Sequence, residues 1–208
     1  MKEFTMKKAA ILAVLFAATL AGGYLLGRGA KPPPPAFHDM RVNHVGDYTD
    51  LVEPDCKEVS KLAKCLGSPE EAYYFVRDRI AFRPEMQAGP PCETLRAKAG
   101  SCLGKAALLC SILRAQGQPA GSVRVVVGHV NTPQGIAEHA WVEMEYGEAC
   151  AQLDPTDFYG KFPFGEFTGA EYTHTFVWKE NFCFNDDGLA MISQLNRFRN
   201  GPPPQAEK

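Results

Sequence analysis

The chain reads as an α+β domain, with helices first and antiparallel strands after them. Helical apolar spacing occupies residues 57–66 and 69–80, and a third, almost wholly apolar helix is expected over 103–116. Valine-rich and alternating segments then follow between 122 and 154. A parallel sheet would need strands and helices to alternate, and here they do not.

Each element has a local reason. Lys57–Leu66 carries Val59, Leu62, Ala63 and Leu66 on one helical face. Pro69 with Glu70 and Glu71 opens the second helix, which turns Ala72, Tyr73, Phe75, Val76 and Ile80 mostly inward. The run from Leu103 to Gln116 is closed by Gly117 and Pro119. Its polar residues Lys105, Ser111, Arg114 and Gln116 share no face, so the helix is expected to be buried nearly all round. Gly100-Ser101 form the turn and cap before it, which places Cys102 at the helix N-terminus. There the positive end of the helix dipole and the unpaired N–H groups favour a thiolate and suit a developing oxyanion. Cys110, two turns further in, has the ordinary fate of a small buried apolar residue.

Ser122–Val130 is a valine-rich strand, and residues 138–146 and 149–154 flank Gly147-Glu148 as a two-residue hairpin. That register opposes Tyr146 to Ala149, Met144 to Ala151, Val142 to Leu153 and Ala140 to Pro155, a consistently apolar face. The other face carries His139, Trp141, Glu143 and Glu145 with Cys150, Gln152 and Asp154. His139 then lies one diagonal step from Asp154, within side-chain reach. A slip of one residue would send the carboxylate to the wrong side.

The string AGSCLGKAALLCSILRAQGQPAGSVRVVVGHV, followed by EHAWVEM and AQLDPT, resembles the core of the transglutaminase-like superfamily over about residues 69–157. The resemblance implies a papain-like Cys-His-Asp triad on an α+β fold, its nucleophile opening a helix packed on an antiparallel sheet. By that resemblance Cys102 is the nucleophile, His139 the base and Asp154 the acid that orients it. Trp141 and Gln152 are candidate substrate or oxyanion residues. The C-terminal third carries no motif that specifies a substrate.

The flanks set the expected organisation: 1–30 a signal anchor or cleaved signal peptide, 31–39 a Pro-rich linker, 40–200 the domain, and 201–208 a disordered tail. Lys7-Lys8 precede an uncharged run from Ala9 to Gly27, long enough to span a bilayer with the domain outside the cytoplasm. Ala21-Gly22-Gly23 offers a possible cleavage site, without a clean A-x-A, so an uncleaved anchor is the favoured expectation. Pro32 to Pro35 form a stiff spacer. Hydrophobic content of 45% and a net charge of −2 describe an ordinary soluble domain and leave no basic excess for nucleic acid.

Seven cysteines contain no C-x-x-C pair, which weakens a structural zinc reading. In an oxidising compartment an odd count leaves at least one thiol, naturally Cys102, while Cys56 and Cys65 flank a helix that they could staple. His38, His44, His129 and His174 show no metal-ligand spacing, and Asn185-Asp186-Asp187-Gly188 lacks the ligand pattern of a calcium loop and reads as a turn. No cofactor or metal is expected. The aromatic stretch from Phe158 to Phe184 lines a substrate groove or, more commonly, forms strand core.

The expected function is extracytoplasmic, thiol-dependent acyl transfer on amide bonds, with a peptide or protein substrate, a membrane contact through the N-terminal segment and no nucleic acid. Hydrolysis and transamidation stay open. The alternatives are a catalytically silent binding module in an envelope assembly, and acyl transfer from a thioester to an arylamine, for which no donor-binding feature is seen.

Overall fold

The computed structural model describes His44 and Gly46–Ile192. The expectations for 1–30, 31–39 and 201–208 lie outside these residues. Among the described residues no helix is long and apolar enough to cross a membrane.

The fold is α+β. A short 3-10 turn at Tyr48–Leu51 leads into helices α1 (Lys57–Cys65) and α2 (Pro69–Arg79). Pro69 occupies the first turn of α2, as the sequence predicts, and Ser68 caps the helix by accepting from the Glu71 N–H. Strand β1 (Ala81–Phe82), helix α3 (Pro91–Ala97) and strand β2 (Ala99–Gly100) follow. Strands β1 and β2 pair in parallel, and the Arg83 N–H also donates to the Gly100 carbonyl at 2.9 Å. This clamp fixes the chain just before helix α4 (Cys102–Ala115). Every residue from Cys102 to Leu113 is buried, including Lys105 and Ser111, so α4 is enclosed nearly all round.

The sheet contains β3 (Val123–Thr132), β4 (Gly135–Tyr146), β5 (Ala149–Leu153), β6 (Phe167–Thr168), β7 (Val177–Phe184) and β8 (Leu189–Met191), in the order β6-β5-β4-β3-β7-β8 and antiparallel throughout. The hairpin register is the one the alternation dictates: Val142 opposes Leu153, Met144 opposes Ala151, and Tyr146 opposes Ala149. Gly147 takes φ +65° at the turn, a conformation that a two-residue hairpin turn requires and glycine adopts freely.

Two packing layers result. On one face of the sheet, Val123, Val125, Val127, Ala140, Val142, Met144, Ala151 and Leu153 pack with the helices in a largely aliphatic core. Alternation turns Val126, Val130 and Trp141 to the other face, where they meet Tyr172, Val177 and Cys183, with Phe158, Tyr159, Phe167 and Phe176 packed around them. The aromatic stretch is not simply strand core. Helix α5 (Gly169–Phe176) interrupts it, opened by a capping box in which Thr168 and Glu171 satisfy each other's backbone. The capping signal outweighs the strand preference of the surrounding aromatic residues. Asn185–Gly188 is a turn between β7 and β8, closed by the Asn185 N–H donating to the Gly188 carbonyl. Arg114 of α4 grips Asp186 through two contacts of 2.6 and 2.8 Å.

Cys56 and Cys65 stand at opposite ends of α1. Nine helical residues separate such positions by about 13 Å, too far for a staple, so this expectation is corrected.

Candidate active site

Ser101 is the N-cap of α4, accepting from the Gly104 N–H at 3.3 Å. Cys102 is therefore the first helical residue, and its side chain is 0% exposed. His139 comes from the middle of β4 and is likewise 0% exposed, while Asp154 follows directly after β5 and is 4% exposed. The hairpin brings the last two together: His139 Nε2 lies 2.8 Å from Asp154 Oδ2. His139 Nδ1 is buried and makes no hydrogen bond, so it is the nitrogen left to face another reactant. Cys102 lies near enough to this imidazole to contribute to raising its pKa.

Asp154 is held on every side. Its Oδ2 also accepts from the Tyr172 hydroxyl at 3.2 Å. Its Oδ1 accepts from the Thr156 N–H at 3.0 Å and the Thr156 hydroxyl at 2.8 Å. Its backbone carbonyl accepts from the Tyr73 hydroxyl of α2 at 3.0 Å. Burial alone would raise its pKa, but the charge and hydrogen bond of His139 and the donors of Thr156 outweigh burial and lower it. For His139, burial disfavours the charged ring; the Asp154 charge, its hydrogen bond and Cys102 win, raising the pKa to about 10. The pair thus favours an imidazolium held against a carboxylate.

The other candidates take supporting positions. Trp141 Nε1 donates to Gln152 Oε1 at 2.5 Å, and Gln152 Nε2 donates to Glu143 at 2.9 Å. Both ends of the Gln152 amide are thereby engaged, and Trp141 stands beside His139 with ring centres 6.3 Å apart. Directly opposite His139 on β3 is Gly128. A Cβ there would come within 2.5 Å of the Lys179 carbonyl and 3.2 Å of the Trp141 ring. The strand must lack a side chain at this point because the β7 backbone at Lys179 and Glu180 passes so close.

Four residues that sequence reasoning did not single out complete the site. Phe158 stacks on His139 at 5.0 Å and Tyr159 meets it edge-on at 6.4 Å. The segment carrying them is tied down: Tyr159 donates to the Asn131 carbonyl at 2.6 Å, and Tyr73 and Arg77 of α2 both donate to the Phe162 carbonyl. Tyr172 is the third, carried by α5, whose Thr168-x-x-Glu171 capping box is the signal that locates it. The fourth is Lys105, 1% exposed, which donates to the Arg77 and Ile80 carbonyls at the end of α2. Burial pulls its pKa down to about 8. It ties α4 to α2, and nothing in the local sequence signals that role.

Cys102 thus opens α4, His139 sits on β4 and Asp154 directly follows β5. The model of the transglutaminase-like superfamily matches residues 57–155, a span that contains Cys102, His139 and Asp154. Over that span the chain is similar to the superfamily. Among solved structures it is similar to LapG of Legionella pneumophila in an EGTA-treated form (TM-score 0.47, 16% identity, 70% of this chain and 88% of that chain). It is also similar to the calcium-bound form of LapG (TM-score 0.44, 14% identity, 67% and 88%). A protein of Cytophaga hutchinsonii described as a candidate cysteine protease is a further likeness (TM-score 0.42, 17% identity, 77% and 57%). No curated protein sequence matches the chain.

Proposed function

We propose that this protein is a thiol-dependent enzyme acting on amide bonds of peptides or proteins, with Cys102 as nucleophile, His139 as general acid and base, and Asp154 as the orienting carboxylate. The observation that carries this reading is the buried His139–Asp154 contact at 2.8 Å, which leaves Nδ1 of the same ring without a hydrogen-bond partner. In the reactive form the thiol proton already resides on Nδ1 of the imidazolium, and the Cys102 thiolate attacks the amide carbonyl. The imidazolium then protonates the departing amine, leaving a thioester on Cys102. Water or a second amine, deprotonated by the ring, resolves the thioester. Backbone N–H groups at the start of α4 are placed to hold the oxyanion. Gln152 serves the site by bracing Trp141, since both ends of its amide are already bonded.

We further place the domain outside the cytoplasm, on the strength of Lys7-Lys8 and the uncharged run from Ala9 to Gly27. A reporter fused after Pro35 should be active outside the cytoplasm, and activity restricted to the cytoplasm would overturn this placement.

The test of the chemistry is reaction with a small alkylating probe, followed by peptide cleavage assays, with Cys102→Ser as control. Labelling of Cys102 that is absent in Cys102→Ser, and loss of all turnover in that variant, are expected. A Cys102→Ser protein that still turns over substrate would end the thiol mechanism. A wild-type thiol that stays inert while the chain still binds peptide would favour the silent module.

A further inference from the structure

Away from the candidate triad, Cys56 and Cys92 face each other across two helices. Cys56 is the N-cap of α1, and Cys92 is the second residue of α3. Their sulfurs and a carboxylate oxygen of Glu53 all lie within 4.8 Å of one another. Both thiols are half-buried rather than sealed. Close by, Arg96 of α3, one turn past Cys92, donates to Glu58 of α1, two residues past Cys56, at 2.8 Å, holding the two elements in this register. Burial, the neighbouring Cys56 and Glu53 push the Cys92 thiol up to about 11.

We propose that Cys56 and Cys92 form a disulfide that joins α1 to α3. Two sulfurs meet that requirement, whereas a structural zinc site needs four ligands. The next carboxylate, Glu58, is already engaged by Arg96 and by the Cys56 thiol at 3.4 Å. The oxidant is a small-molecule or protein disulfide. One thiolate attacks a donor sulfur and forms a mixed disulfide with release of one donor thiol. The second thiolate then displaces the other donor thiol. Two cysteine thiols are oxidised, one donor disulfide is reduced to two thiols, and the two protons are transferred with them. The bond closes a loop holding α1, α2 and β1, and pins the helix that leads directly into β2 and Cys102. Cys102, buried at the start of α4, stays a thiol.

The test uses the full chain equilibrated with oxidised or reduced glutathione, then denatured, alkylated and digested without reductant. Oxidation should yield one linked peptide pair containing Cys56 and Cys92, two hydrogens lighter than its separate parts and abolished by dithiothreitol. The melting temperature should rise by several degrees on oxidation. Cys56→Ser and Cys92→Ser should each remove that rise, and the double variant should remove no more. Full alkylation of both residues after oxidation overturns the proposal, as does a stoichiometric zinc ion retained by the reduced protein and removed by chelator. The peptide map on unaltered protein decides the matter even where a variant fails to fold, and none of these readouts depends on catalysis.

Discussion

The two faces of the sheet do different work. One is aliphatic: valines, alanines, Leu153 and Met144 meet α4 and its neighbours with few polar atoms to satisfy. The other is aromatic and wired, with Trp141 bonded to Gln152, Tyr172 to Asp154, and Phe158 laid on His139. Aliphatic contact is adaptable and non-directional, so the first face secures the fold. Hydrogen bonds and stacked rings have preferred geometries, so the second can hold an imidazole in one orientation. Cys102 breaks the pattern usefully. It belongs to the aliphatic layer by packing, yet contributes to raising the pKa of the histidine of the other face.

That exception provides the largest expected effect. Cys102→Ala should abolish turnover while far-ultraviolet circular dichroism stays native. Retained activity on any substrate of the unaltered protein would show that the faces are not divided in this way.

Asp154→Asn should lower turnover on the order of 10⁴-fold, the loss that follows when a triad histidine is no longer held in the right tautomer. Asp154→Ala should add a loss of stability, because it leaves the buried His139, Tyr172 and Thr156 groups without their acceptor. Breaking a buried pair in this way costs about 3–5 kcal/mol. Kinetics and denaturant melts on both variants separate orientation from structure.

The same pair sets a pH dependence. The folded pKa of His139 is raised above its ordinary 6.5, so its stabilisation is fully present below pH 6.5 and fades as pH rises through about 10. The folded pKa of Asp154 is lowered from its ordinary 3.8, so its contribution is present above that pH and is lost as pH falls through the folded value. Stability from the pair should therefore peak between roughly pH 4 and 6.5. Melting curves from pH 6 to 10 should fall for the unaltered protein and flatten in Asp154→Asn. Equal slopes in both would remove the pair as the cause.

Gly128→Ala probes how closely the wired face is packed. The new methyl meets the Lys179 carbonyl and the Trp141 ring, and such overpacking costs about 1–3 kcal/mol. Turnover should fall with it as Trp141 shifts. Cys110→Ala is the smallest and opposite case. Cys110 is 0% exposed in α4, and burial holds its thiol well above the usual range. Its loss should cost about 1 kcal/mol through a small cavity and leave kcat/KM unchanged. A strong kinetic effect would mean that the aliphatic layer also tunes the chemistry.

Local pattern was enough for α1, α2, α4 and the β4–β5 hairpin, because their periodicities, caps and turn glycine act within a few residues. The placement of His139 and Asp154 on one side was legible for the same reason: alternation and a two-residue turn leave one register that buries the apolar set. Helix α3 and the β1–β2 clamp were not legible. The two-residue strands hold together only through pairing with distant chain, and Pro90-Pro91 masked the short helix that they open. Helix α5 was hidden by its aromatic residues, although its capping box was readable. The surroundings of Asp154 were decided by tertiary structure alone. Tyr73 lies 81 positions away from it and Tyr172 lies 18 away. The half-buried meeting of Cys56 with Cys92 is likewise a product of packing. The sequence by itself determined which residues the chemistry has to work with and which strand face they share. Which buried hydroxyls, rings and thiols surround them depended on long-range packing, because no local periodicity encodes a contact between segments whose spacing only the folded core sets.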